Sequence, residues 1–176
     1  MAKDPFRLRV MKAVCDQLKT ISPDGDYAHN LADFVDAAGR PAERVFRGRT
    51  IYGDNDPLPM LAVLEDPRAL EQNNGPANST ASAGQFRILI QGFVTDDKTH
   101  PLDPAYRLSA EVVEALVKAK KERFNMLGLG SVAPCVMGIT IGQPVHRPPD
   151  DEVSAVSYFL VPVTLTLAEN LETPFA

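Results

Sequence analysis

Phe159, Val161, Val163, Leu165 and Leu167 recur at every second position near the C-terminal end of the chain. Period two marks an extended strand, because successive side chains on a pleated backbone point to opposite faces. The run predicts one long strand from about Val153 to Leu167, with its odd-numbered residues in the core. Pro162 interrupts it. Proline has no amide proton to give to a ladder, so its presence predicts either a sheet edge or a bulge at that point. Phe86–Thr95 (FRILIQGFVT) is a second strand, with Ile88, Ile90 and Val94 on one face and Leu89 and Phe93 on the other. Apolar residues on both faces predict a central strand covered by helices on at least one side.

Two segments follow a helical period instead. Phe6, Val10, Val14, Leu18 and Ile21 recur at spacings of four and three, and Ser22-Pro23-Asp24-Gly25 then supplies turn chemistry. A second helix opens at Asp103-Pro104, with the aspartate as expected N-cap and the proline in the first turn. Leu108, Val112, Leu116 and Ala119 form its stripe. Glu111 and Glu114 come early, and Lys118, Lys120, Lys121 and Arg123 come late, an order that suits the helix dipole. Residues 26–40 read as a short strand or an irregular segment. Val45–Tyr52 and Leu58–Glu65 read as strands around a turn at Gly53–Pro57, and Val136–Gln143 as a strand with Met137, Ile139 and Ile141 inward. Residues 66–85, rich in Pro, Asn, Ser, Ala and Gly, predict an extended surface loop, and residues 168–176 a C-terminal arm. The order helix, strand pair, strand, helix, strand pair predicts an α+β fold: a mostly antiparallel β-sheet with two main helices packed on it, in one domain over residues 1–176.

Composition narrows the function classes. Eighteen Lys and Arg against 23 Asp and Glu leave a net charge of -5, which argues against a dedicated duplex-binding protein. The 44% hydrophobic content is ample for a packed core. Cys15 and Cys135 make no CxxC and no zinc spacing, so they read as reduced packing residues, and no metal or other cofactor is expected. The first dozen residues lack the apolar core of a signal peptide, and Val153–Ala168 is too short and too polar to span a bilayer. His29, His100 and His146 lie near turns without ligand-type neighbours, and read as surface or capping residues. Gly128-Leu129-Gly130-Ser131 follows a helix rather than a strand, so it reads as a bend and not as a phosphate loop. Asp54-Asn55-Asp56 starts like a calcium loop, but Pro59 stands where the sharp turn needs glycine. No nucleophile elbow or Walker motif occurs. The residues thus show no catalytic signature.

Arg40, Arg44, Arg47 and Arg49 crowd around one predicted strand, where Arg47 and Arg49 share a face. They read either as a solvated strand surface or as an electrostatic contact with an acidic partner. Phe175 reads either as a frayed end or as a side chain tucked into a neighbouring subunit.

The succession VFRGRTIYGDNDPLPMLAVLEDP (Val45–Pro67), FRILIQGFV (Phe86–Val94), the helix opened by Asp103-Pro104, RPPDDEVS (Arg147–Ser154) and YFLVPVTLTLAENL (Tyr158–Leu171) resembles the tail terminator, or tail completion, proteins of long-tailed bacteriophages. The resemblance covers the order of elements over nearly the whole chain. It implies a structural virion protein at the head–tail junction, present in the host cytoplasm during assembly. Similar proteins form a hexameric ring that caps the tail tube, stops its polymerisation and offers a surface to head–tail connector or neck proteins. DNA would then pass through the lumen without specific binding. By that analogy Arg47, Arg49, Tyr52, the loop after Asp66, Asp150, Asp151 and Glu152 are the expected subunit or tube contacts, to which Phe175 is added as the side chain that could tuck into a neighbouring subunit. Another ring component of the head–tail connector is the nearest alternative, and a small α+β enzyme a more distant one.

Overall fold

The computed structural model describes residues 3–53, 55–67, 80–149 and 155–175. It is an α+β structure. Helix α1 (Phe6–Lys19) leads into a two-stranded ribbon of β1 (Phe34–Val35) and β2 (Pro41–Ala42). The main sheet holds β3 (Val45–Arg47), β4 (Met60–Glu65), β5 (Ala81–Val94), β6 (Cys135–Ile141), β7 (Val145–Arg147) and β8 (Ser157–Asn170). Helix α2 (Asp103–Lys121) lies between β5 and β6 in sequence. The sheet order is β3-β4-β5-β8-β6, with β7 also on β8. All main-sheet pairs are antiparallel except β3 and β4.

The period-two pattern of β8 decides the layering. Phe159, Val161, Val163, Leu165 and Leu167 are all within 1% of complete burial, and they pack with Ile88 and Ile90 of β5 against both helices. The predicted stripe of α1 is buried, as are Leu108, Val112, Leu116 and Ala119 of α2. The other face of the sheet follows from the register. Its cross-strand rows run Met60–Phe93–Tyr158–Arg147, then Ala62–Gln91–Leu160–Val145, then Leu64–Leu89–Pro162. Neither helix packs on that face, and Leu64, Leu89 and Leu160 stay half-buried.

Pro162 marks neither an edge nor a bulge of its own strand. It sits in the middle of the sheet, opposite Leu89 on one side. On its other side β6 ends at the Ile141–Val163 pair and β7 begins at the Val145–Leu160 pair. The chain swings away between them, so the missing amide faces a gap in the ladder. There the Pro162 carbonyl accepts from the Gly142 amide at 2.7 Å. The bulge lies in β6 instead, between Val136 and Gly138, and it turns Met137 outward rather than inward.

Other boundaries move as well. Ala81–Gln85 belong to β5 and pair with Thr166–Asn170, so the surface loop is shorter than residues 66–85; residues 68–79 lie outside the described part. The same pairing draws Ala168–Asn170 out of the predicted arm and into β8. The tail that follows is tied back onto α1, where the Phe6 amide donates to the Pro174 carbonyl at 2.8 Å. Asp103 is the first residue of α2 rather than its cap, and places its charge at the positive end of the dipole.

Gly92 shows how tightly neighbouring strands pack on the helix-covered face of the sheet. A methyl group there would lie 2.1 Å from the Phe159 ring, with Leu61 at 2.9 Å. Gly92→Ala is expected to lower unfolding free energy by roughly 1–3 kcal/mol through overpacking. A urea midpoint equal to that of the wild type would refute this.

Candidate interaction surface

The predicted hairpin around Gly53–Pro57 does not form. Because β3 and β4 run parallel, the chain must cross over between them, which takes about a dozen residues. Gly48 begins the crossover at φ +66°, a left-handed conformation that ends the strand after Arg47. Residues 48–53 and 55–59 then lie over one end of the helix-free face.

The arginines separate at this point. Arg47 pairs with Val63 in register and so shares the side of Leu61 and Val63, towards α1. Phe46 points the other way, and the Arg49 guanidinium lies over its ring at 4.5 Å. The predicted shared face of Arg47 and Arg49 is therefore overturned, because the left-handed glycine between them breaks the pleat. Arg49 spends its charge within the chain. Its Nη2 donates to both Asp56 oxygens at 2.6 and 2.8 Å, and its Nε to the Ile51 carbonyl at 3.1 Å. Asp56 also accepts from the Gly53 amide at 2.8 Å. Arg44 donates to the Leu58 carbonyl at 2.9 Å and stacks over Phe34, while Arg40 bridges to Asp36. Arg47 remains exposed, with no hydrogen bond or ion pair to the described residues.

Tyr52 closes the cluster. Its hydroxyl donates to the Arg49 carbonyl, and its ring lies 4.6 Å from Phe93, which in turn stacks on Tyr158 at 6.0 Å. Burial pushes the Tyr52 phenol above its ordinary value. Between this crossover and the start of β8 opens a cleft of about 490 Å³, walled by Ile51, Tyr52, Met60, Phe93 and Val156, with Asp56 on its border. That size and lining suit an apolar or aromatic group. The cleft is the feature that residue patterns missed, since it exists only once the crossover is in place.

Phe175 is half-exposed, at the opposite end of β8 from the cleft. Asp150, Asp151 and Glu152 lie outside the described residues. So does Asp54, leaving Asp56 as the partner of Arg49. Among the described residues no group of three His, Cys, Asp or Glu side chains is placed to hold a metal ion. Among them, too, no helix is long and apolar enough to cross a membrane. Burial pushes the Cys15 thiol up to about 12, against a smaller opposing effect of Arg47, and so holds it as an unreactive packing residue.

Two histidines tie layers together instead of standing at the surface. His29 Nδ1 lies 2.9 Å from Glu111, which also accepts the Ala28 and His29 amides. His146 of β7 stacks on Tyr106 at 3.7 Å, and its Nε2 lies 2.8 Å from the buried Ser109 hydroxyl of α2. That serine hydroxyl also lies 3.0 Å from the Tyr106 carbonyl in its own helix. With the serine proton on that carbonyl, the imidazole donates to the serine oxygen. The pair then fastens β7 to α2. No protein-family model matches the chain, and no curated protein matches it.

Two outcomes follow. Arg49→Ala is expected to cost about 1–2 kcal/mol by removing a half-exposed ion pair and a ring contact. Arg47→Ala, exposed and without such contacts, should stay within about 0.5 kcal/mol of wild type. Equal losses in urea unfolding would contradict the division. Burial also holds the His146 imidazole below its ordinary 6.5. Its neighbours Tyr106, Ser109 and Phe159 bring no charge, and the adjacent Arg147 adds none that favours protonation. The unfolded chain then takes up a proton first as pH falls, so stability is complete above 6.5 and declines below it. The wild type should lose stability between pH 7 and 5 more steeply than His146→Asn. Parallel profiles would remove His146 as the cause.

Proposed function

We propose that this chain is a structural assembly protein: a subunit of a ring that caps the tail tube of a long-tailed bacteriophage. The observation that carries the reading is the one-sided sheet. Both helices pack on one face of a six-stranded sheet, while the other presents half-buried leucines and a cleft with aromatic walls. Contiguous half-exposed apolar surface of that kind marks sites of interaction. The resemblance in the order of elements supplies the biological setting.

In this reading the subunits close head to tail, each using two different surfaces, so that rotation completes a ring, as in the hexamers of similar proteins. The ring occupies the end of the tube by shape and charge, and denies that site to the next tube subunit. Its outer surface receives the neck or connector protein. The net charge of -5 suits a lumen through which DNA slides without sticking. Arg47, exposed and without an ion pair to the described residues, is assigned to a subunit or tube contact. Arg49 and Tyr52 act by shaping the cleft.

The test combines light scattering on a sizing column with negative-stain images, then a tube-polymerisation assay with the tail tube protein supplied by the host phage. The expected result is a closed ring with a central hole that arrests tube growth when added. A particle that leaves tube length unchanged refutes the capping role. A ring that binds only neck proteins would reassign it to the connector. Arg47→Glu should weaken ring or tube binding at least tenfold with unfolding unchanged, and unaltered binding would remove Arg47 from the contact.

A further inference from the structure

The two ends of α2 differ in both shape and charge. At its start, the turn after β5 and the first turns of α2 carry Asp96, Asp97 and Asp103 against Lys98 and Arg107, the latter close enough to act on Asp97, so that this end keeps a small acidic excess. Asp96 and Asp97 follow Phe93, a wall of the 490 Å³ cleft, by three and four residues. The Ser157 hydroxyl donates to the Pro101 carbonyl, which keeps this turn beside the start of β8 and hence beside the cleft. At the other end, Lys120, Lys121 and Arg123 are exposed with Glu122 among them, and Phe124 follows with 81% of its surface in water. An isolated aromatic side chain this exposed forfeits the large burial that aromatics usually supply.

We propose that the cleft of one copy receives Phe124 of the next, so that copies join head to tail. The cleft is mainly apolar, has the Tyr52 and Phe93 rings in its walls and has room for such a side chain. The acidic turn beside it complements the basic residues flanking Phe124. The two surfaces are held apart by the length of α2, roughly 28 Å at 1.5 Å per residue. One molecule therefore cannot satisfy its own cleft. Unlike surfaces on opposite ends make the contact heterologous, and a heterologous contact extends until it closes or forms a filament. This inference rests on the ring reading above and names the contact that would close the ring.

The decisive experiment is complementation between two full-length variants, each spoiled at one end. Phe124→Asp removes the inserted side chain, and Ile51→Lys, at a residue 83% exposed on the cleft rim, blocks its seat. Both positions are outside the core, and circular dichroism matching the wild type confirms folding. Phe124→Ser repeats the test without adding charge. Masses are read by light scattering from micromolar to millimolar concentration. The wild type is expected to exceed a dimer, and each variant alone to stay at 19.2 kDa. The mixture of the two should give a 1:1 dimer and nothing larger, because one intact seat and one intact phenylalanine remain.

Variants that assemble like the wild type would overturn the contact and leave the ring reading standing. A mixture that stays monomeric overturns it too, as does a wild type that stops at a dimer. A wild type monomeric throughout the range also overturns it, and the tube-arrest assay then decides the ring reading separately.

Discussion

Every layer of this molecule is registered against β8. The strand is paired along its full length with β5 on one side, and with β6 and then β7 on the other. Its alternation commits five large side chains to the helices, and by the same geometry commits Tyr158, Leu160, Pro162, Thr164 and Thr166 to the opposite face. A slip of one residue would exchange the two sets. It would bury Pro162 and the threonines against α1 and α2, and expose Phe159. Gly92 locks the register from the neighbouring strand, since only a residue without a side chain leaves room for the Phe159 ring above it.

Pro162 would ordinarily forbid a central position. It is tolerated because the neighbouring lane is split between two short strands whose junction falls opposite the missing amide. The junction follows from the proline: no ladder bond is available there, so the chain turns out at Gly142 and returns at Val145. The returning strand is only Val145–Arg147, too short to hold by its ladder alone. His146 supplies the fastening by stacking on Tyr106 and pairing with Ser109. A local rule broken in β8 is thus offset by a side-chain contact in another layer.

This explains which parts of the structure could be read in advance. The stripes of α1 and α2 and the pleat of β8 are properties of single segments, and periodicity reports those directly. Strand direction is a relation between segments. Val45–Arg47 and Met60–Glu65 look the same whether paired parallel or antiparallel, so the turn residues at Gly53–Pro57 suggested a hairpin. The informative residue was Gly48, whose left-handed conformation ends β3 early and sends Arg49 across to Phe46. The arginine cluster misled for the same reason. Four neighbouring cations look like a patch, but Arg40, Arg44 and Arg49 each find an acceptor only after the chain has folded. The cleft, built from β4, β5, the crossover and the entry to β8, had no sequence signature of its own.

Charge that is consumed internally cannot recruit a partner, and this limits where assembly contacts can form. Arg49 and Asp56 neutralise one another, Arg7 is held by Glu169, and Lys19 by Asp33 and Glu43. The ionic groups left outside such pairs include Arg47 and those at the two ends of α2. Phe124 follows one of those ends, and the turn before the other is tied by Ser157 to the start of β8, where the cleft opens. Ionic pairing at a rim steers and orients an encounter, while burial of an aromatic group supplies most of its affinity. Two unlike surfaces, set apart on one molecule, give the contact proposed above a direction, which a symmetric pair built on one self-complementary patch would not have.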